Sequence, residues 1–117
     1  MANSFVCDKD IFRHIYQLEK RRSGRKKYPS YLSHIKISRQ QNNNLKKAIN
    51  GMEDILSKRL RSGDVVCRWS YNHFVLILNN IEDYDVNKVM DRIKNHFLEN
   101  DKDENKIDIN INYIPIG

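Results

Sequence analysis

Leu60-Arg61-Ser62-Gly63-Asp64-Val65-Val66-Cys67-Arg68-Trp69-Ser70-Tyr71-Asn72-His73-Phe74-Val75-Leu76-Ile77-Leu78 is the stretch whose reading decides the fold. Two strand-forming runs, Val65–Ser70 and His73–Asn79, flank a short polar turn, the pattern of a β-hairpin. Phe74 to Leu78 is a continuous apolar run, which suits a central strand buried on both faces.

Working outward from the hairpin, the preceding segment carries Leu45, Ala48, Ile49, Met52, Ile55, Leu56 and Leu60 at helical spacing. Asn42 to Asn44 are placed to cap that helix. A strand is expected over about Tyr31 to Ile37, with Tyr31, Ser33, Ile35 and Ile37 on one side and Leu32, His34 and Lys36 on the other. Before it, Asp8 or Asp10 starts a helix whose apolar face is Ile11, Phe12, Ile15, Tyr16 and Leu18. After the hairpin, Asp85 is expected to cap a helix bearing Val86, Val89, Met90, Ile93 and Phe97. Glu99 to Asn105 reads as a polar loop. Ile107, Ile109, Ile111 and Tyr113 alternate with Asp108, Asn110 and Asn112, which marks a half-exposed last strand.

The expected order is therefore α-β-α-β-β-α-β. Without its first helix this is the βαββαβ arrangement of ferredoxin-like α+β folds. Right-handed crossovers place the two later helices on one face of a four-stranded antiparallel sheet. The first helix is left to cover the other face or to mediate pairing into a homodimer.

The chain has 117 residues, which suits a single domain over 1–117. No apolar run approaches a membrane span, and no short apolar block with a cleavage site opens the chain. The expectation is a cytoplasmic protein with no membrane contact. Cys7 and Cys67 stand far apart in sequence and read as free thiols of a reducing compartment. The net charge is +6, from 21 bases against 15 acids. Six bases form one acid-free run: Lys20, Arg21, Arg22, Arg25, Lys26 and Lys27. Removing it leaves 15 of each sign, so the basic character is local. The plain reading of the run is a solvated helix end and loop. The functional reading is contact with phosphate or nucleic acid.

The residues of the hairpin carry a family resemblance. A Leu-Arg-x-x-Asp lead-in, an Arg-aromatic pair before the tip and an apolar strand after it resemble the signature hairpin of diguanylate cyclase (GGDEF) domains. At the tip, Ser70, Tyr71, Asn72, His73 and Phe74 stand where that family has two glycines, two acids and a phenylalanine. Phe5 to Arg21, with Tyr16, Leu18, Glu19 and Arg21 as its most recognisable element, is similar to the opening of a degenerate GGDEF-like domain. That domain forms the C-terminal accessory part of clostridial-type transcription regulators with a bacterial transcriptional activator domain. The resemblance implies a truncated GGDEF-like core.

The resemblance also implies what chemistry to expect. Joining two nucleotides needs a divalent ion held by carboxylates. The matching positions are Lys36 and Ser38 on the first strand and Asn72 and His73 in the hairpin, with no neighbouring acid in evident compensation. The expectation is that the chain is not an enzyme and needs no cofactor or metal. His73 reads as a turn residue, since His14, His34 and His96 stand at no spacing that pairs with it. Arg61 and Asp64 match the inhibitory-site motif that binds cyclic di-GMP in many GGDEF domains; their plain reading is a helix end and a turn cap. The leading functional expectation is a non-catalytic regulatory or protein-interaction domain of a bacterial signalling or transcription-regulation system. A cyclic di-GMP receptor using Arg61 and Asp64 comes second. A nucleic-acid-binding module using segment 20–27 comes third.

Overall fold

The computed structural model of the chain describes residues 5–22, 24, 29–39, 45–100 and 107–116. Its elements are β1 (Phe5–Cys7), α1 (Lys9–Arg22), β2 (Ser30–Arg39), α2 (Leu45–Arg59), β3 (Val65–Ser70), β4 (His73–Leu78), α3 (Asp83–Asn100) and β5 (Ile107–Ile116). The sheet order is β1-β3-β4-β2-β5. The last four of those strands form the expected antiparallel βαββαβ core.

The expectation of a four-stranded, wholly antiparallel sheet needs correcting. Phe5–Cys7 adds a fifth strand, parallel to β3, with Val6 opposite Val66 and Cys7 opposite Cys67. Three residues are too few to show a period of two, so only pairing with β3 reveals them as a strand. Helix α3 begins at Asp83 rather than at an Asp85 cap, and the Glu82 carbonyl accepts from the Asp85 and Val86 N–H groups at 3.0 Å. The cap expected at Asn42 to Asn44 lies outside the described residues.

Alternation along the central strands sorts side chains into two cores. Tyr31, Ile35, Ile37, Phe74, Leu76 and Leu78 pack against the stripes of α2 and α3, including Ile49, Met52, Leu56, Val86, Met90, Ile93 and Phe97. Both later helices therefore share one face, as the crossover rule requires. Val65, Cys67, Val75 and Ile77 point the other way, onto Phe12, Ile15 and Tyr16 of α1. Sheet strands buried on both sides explain the unbroken apolar run of β4.

Helix α1 starts where Asp8 caps it. Asp8 Oδ1 accepts the Ile11 N–H at 2.9 Å and the Asp8 carbonyl accepts the Phe12 N–H at 3.0 Å. Asp8→Ala is expected to cost about 1 kcal/mol in urea denaturation. Its far end is tied down by Glu19, a buried acid that accepts from Ser30 Oγ at 2.9 Å. After β4, Asn80 adopts a left-handed φ of 51°, a conformation asparagine tolerates, and its N–H reaches Ser30 Oγ at 3.3 Å. Among the described residues no helix is long and apolar enough to cross a membrane.

Candidate functional site

The hairpin tip is Tyr71-Asn72, between the end of β3 and the start of β4. A register shift between Arg68 and Ser70 bends it. Tyr71 is exposed, whereas Asn72 is buried. Asn72 completes the β2 ladder: its carbonyl accepts the Ile37 N–H and its side-chain Nδ2 donates to the Ile37 carbonyl, both at 3.0 Å. Asn72→Asp removes that donor and sets a carboxylate against a carbonyl. It is expected to destabilise the chain by about 1–3 kcal/mol, measured by chemical denaturation.

His73 is not a lone turn residue. Lys36 is its register partner on β2, and His34 lies on the same face of that strand. Diagonal neighbours on adjacent strands come within side-chain reach. His34 Nδ1 and His73 Nε2 stand 3.0 Å apart, with the rings stacked at 5.1 Å. Sequence spacing cannot show such a pair, because register decides it. One nitrogen of the contact must carry the proton and the other must accept it, so full protonation turns the contact into two opposed donors. Burial, then His34, then Lys36 push the His73 imidazole below its ordinary 6.5. The unfolded chain thus binds more protons as the pH falls below 6.5, and stability drops with it. Denaturation midpoints at pH 7 and pH 5 are expected to differ more for the unaltered chain than for His73→Gln.

Lys36 and Ser38 lie where the sequence reading placed metal-ligand positions without a neighbouring acid. The structure supplies one from a distant part of the chain. Asp108 on β5 is the register partner of Ser38. A polar groove of about 570 Å³ at that edge is lined by Lys36, Ser38, Asp91, Lys94, Asp108 and Asn110, among others. Asp91 and Asp108 were missed because β5 and α3 meet β2 only through tertiary pairing. Among the described residues, no three His, Cys, Asp or Glu side chains gather as a metal set.

Arg61 and Asp64 are brought together, and mainly by each other. Asp64 Oδ2 accepts from the Arg61 N–H at 2.9 Å and from Nε at 3.3 Å. Asp64 Oδ1 accepts from Arg61 Nη2 and from the Asn79 N–H, both at 3.1 Å. Arg61 also donates to the Asn79 carbonyl. Asp64 is 2% exposed, so its carboxylate is a buried anchor that ties the end of α2 to the end of β4. The recess beside Arg61 is bordered by Glu82 and Asp85, which repel an anionic ligand.

The α1 face of the sheet holds another feature. Helix α1 covers β3 and the near side of β4, while Lys36, Ser38, Asn110, Asn112 and Ile114 stay exposed. At the border a slot of about 240 Å³ opens, walled by Phe12, Tyr16, Leu32, Trp69 and Val75 and rimmed by Arg13 and His34. Trp69 meets the Phe12 ring edge-on at 6.2 Å, and Lys9 and Arg13 each lie 5.1 Å from its ring centre. Of the basic segment, Lys20, Arg21 and Arg22 form the exposed last turn of α1, whereas Arg25, Lys26 and Lys27 lie outside the described residues. Cys7 and Cys67 are free but face each other across β1 and β3. Burial, Cys67 and Asp8 push the Cys7 thiol up to about 11, a protonated and unreactive state.

The chain matches the family model for the diguanylate cyclase GGDEF domain over residues 46–114, and it belongs to that family. No curated protein matches the chain significantly. Its fold is similar to that of a DGC protein from Thermotoga maritima, at 23% identity and a TM-score of 0.77, covering 97% of this chain and 82% of that one. It is also similar to the active GGEEF domain of a diguanylate cyclase from Vibrio cholerae, at 13% identity and a TM-score of 0.75, covering 92% and 76%. A third likeness is to the diguanylate cyclase SiaD of Pseudomonas aeruginosa, solved in complex with its activator SiaC, at 16% identity and a TM-score of 0.72. There the match covers 94% of this chain and 47% of the other.

These findings overturn the expectation that the chain is not an enzyme. Its family is one of cyclases, and the matched folds include an active one. That expectation depends on four substituted positions with no acid beside them along the sequence. In the fold Asp108 is the register partner of Ser38, and Asp91 lines the same groove.

Proposed function

We propose that this GGDEF-family chain is a regulatory domain of a bacterial nucleotide-signalling system, and that it delivers its effect through a protein partner bound on the α1 face of the sheet. The observation that supports this reading is the half-covered face itself. Ile114 is 57% exposed beside the slot, and its register partner is the slot residue Leu32. An apolar ledge continuous with an apolar recess is the usual mark of an interaction surface. The resemblance of Phe5 to Arg21 to an accessory domain of transcription regulators makes such a regulator the first partner to test.

The test is complementation. In bacteria lacking the chain, the unaltered protein is expected to restore cyclic di-GMP level and transcript profile. Ile114→Glu, at an exposed position, is expected to leave the melting curve unchanged and to fail to restore them. Full restoration by Ile114→Glu overturns the reading. Reception of cyclic di-GMP at Arg61 and nucleic-acid contact through 20–27 are the weaker readings. Asp64 spends both oxygens within the chain, and only part of the basic segment is described.

A further inference from the structure

The slot between α1 and the sheet has a size, a lining and a rim that together specify an occupant. Its walls are three aromatic rings, of Phe12, Tyr16 and Trp69, and two aliphatic side chains, so it disfavours any polar group left without a partner. At about 240 Å³ it is smaller than the recesses that enclose whole ligands, and it opens on the exposed sheet face. A free small molecule would leave much of its surface in water there. One large side chain carried by a larger body fills it and buries the ledge of Leu32 and Ile114 at the same time.

Cations stand on both sides of the mouth. Lys9 and Arg13 lie over Trp69 at the α1 side. Lys36 flanks the His34–His73 pair on the strand side. Asp10 reaches Arg13 at 3.3 Å, but both side chains are more than half exposed, so the pair is weak and exchangeable. An incoming carboxylate meets cations on either side of the slot.

We propose that the slot receives one bulky apolar side chain from a partner-protein segment that carries carboxylates on both sides of it. This rests on the partner-binding reading above and specifies the partner's chemistry. Trp69 forms part of the wall and is the chain's single tryptophan, so its emission reports occupancy directly. The probe is an acetylated, amidated hexapeptide of sequence Glu-Asp-Leu-Phe-Asp-Glu, titrated into the full chain. Saturable change in Trp69 emission is expected, together with nitrogen–proton NMR shifts confined to α1, Leu32, Trp69 and Ile114.

Replacing the central Leu-Phe by Ala-Ala is expected to weaken binding by about tenfold or more, the loss that follows from removing one buried apolar side chain. Arg13→Glu is expected to weaken it as much, and to leave the circular dichroism unchanged because Arg13 is exposed. A hexapeptide with lysines in place of the acids is expected not to bind. The proposal is overturned by no change in Trp69 emission up to millimolar peptide, by equal binding of the acidic and basic peptides, or by binding that ignores Arg13→Glu. Failed titration with Ile114→Glu still inactive in cells removes only the acidic-segment proposal; full complementation by Ile114→Glu removes the partner-binding reading.

Discussion

Replacing Phe74 by alanine is expected to cost about 3–5 kcal/mol, the range for truncating a fully buried aromatic ring. Phe74 is 0% exposed and stands in the central β4 strand. Its register partner is Ile35 on one side and Arg68 on the other. The ring lies in the core shared with α2 and α3, so its removal opens a cavity between the sheet and both helices. Surrounding helices and strands relax only partly around such a void, and the lost contacts add to the lost burial. The denaturation midpoint measures the effect. A shift equivalent to less than about 1 kcal/mol would mean that the core collapses around the void, contrary to its close packing.

Asp64→Ala is expected to cost about 2–4 kcal/mol, almost as much, although Asp64 belongs to a loop. Its carboxylate satisfies two backbone N–H groups, of Arg61 and Asn79, besides the guanidinium. Removing a carboxylate that is only 2% exposed leaves those donors without their acceptor. Arg61→Ala is expected to cost only about 1 kcal/mol, because the Arg61 side chain is half exposed and leaves both backbone donors bonded. Equilibrium unfolding of the two variants distinguishes a staple from a ligand site. Equal losses would show that the guanidinium contact, and not backbone satisfaction, carries the loop.

Much of the fold was legible along the chain because it is written in period and composition. The unbroken run Phe74 to Leu78 announced a strand covered on both faces, and the structure covers it with α1 on one side and α2 and α3 on the other. The alternation from Ile107 to Tyr113 announced a half-exposed strand, and in β5 those residues are partly buried while Asp108, Asn110 and Asn112 are exposed. Helices α2 and α3 declared their buried stripes residue by residue. Strand β1 was not legible, since three residues carry no period and its partner β3 is sixty residues away.

The candidate site divides along the same line. Local chemistry was readable from local spacing: Arg61 and Asp64, three residues apart, form the ion pair and turn that their spacing allows. The sequence by itself determined the order of the elements that follow β1, the two-sided burial of β4 and the family framework of the hairpin. Only the tertiary structure decided which distant side chains share a place. It set His34 against His73, Asp108 beside Ser38, Cys7 across from Cys67, and Trp69 against Phe12. The physical reason is register. Hydrophobic alternation says which face a strand residue takes, but strand pairing and helix docking decide which residue stands beside it, and a site is made of such neighbours.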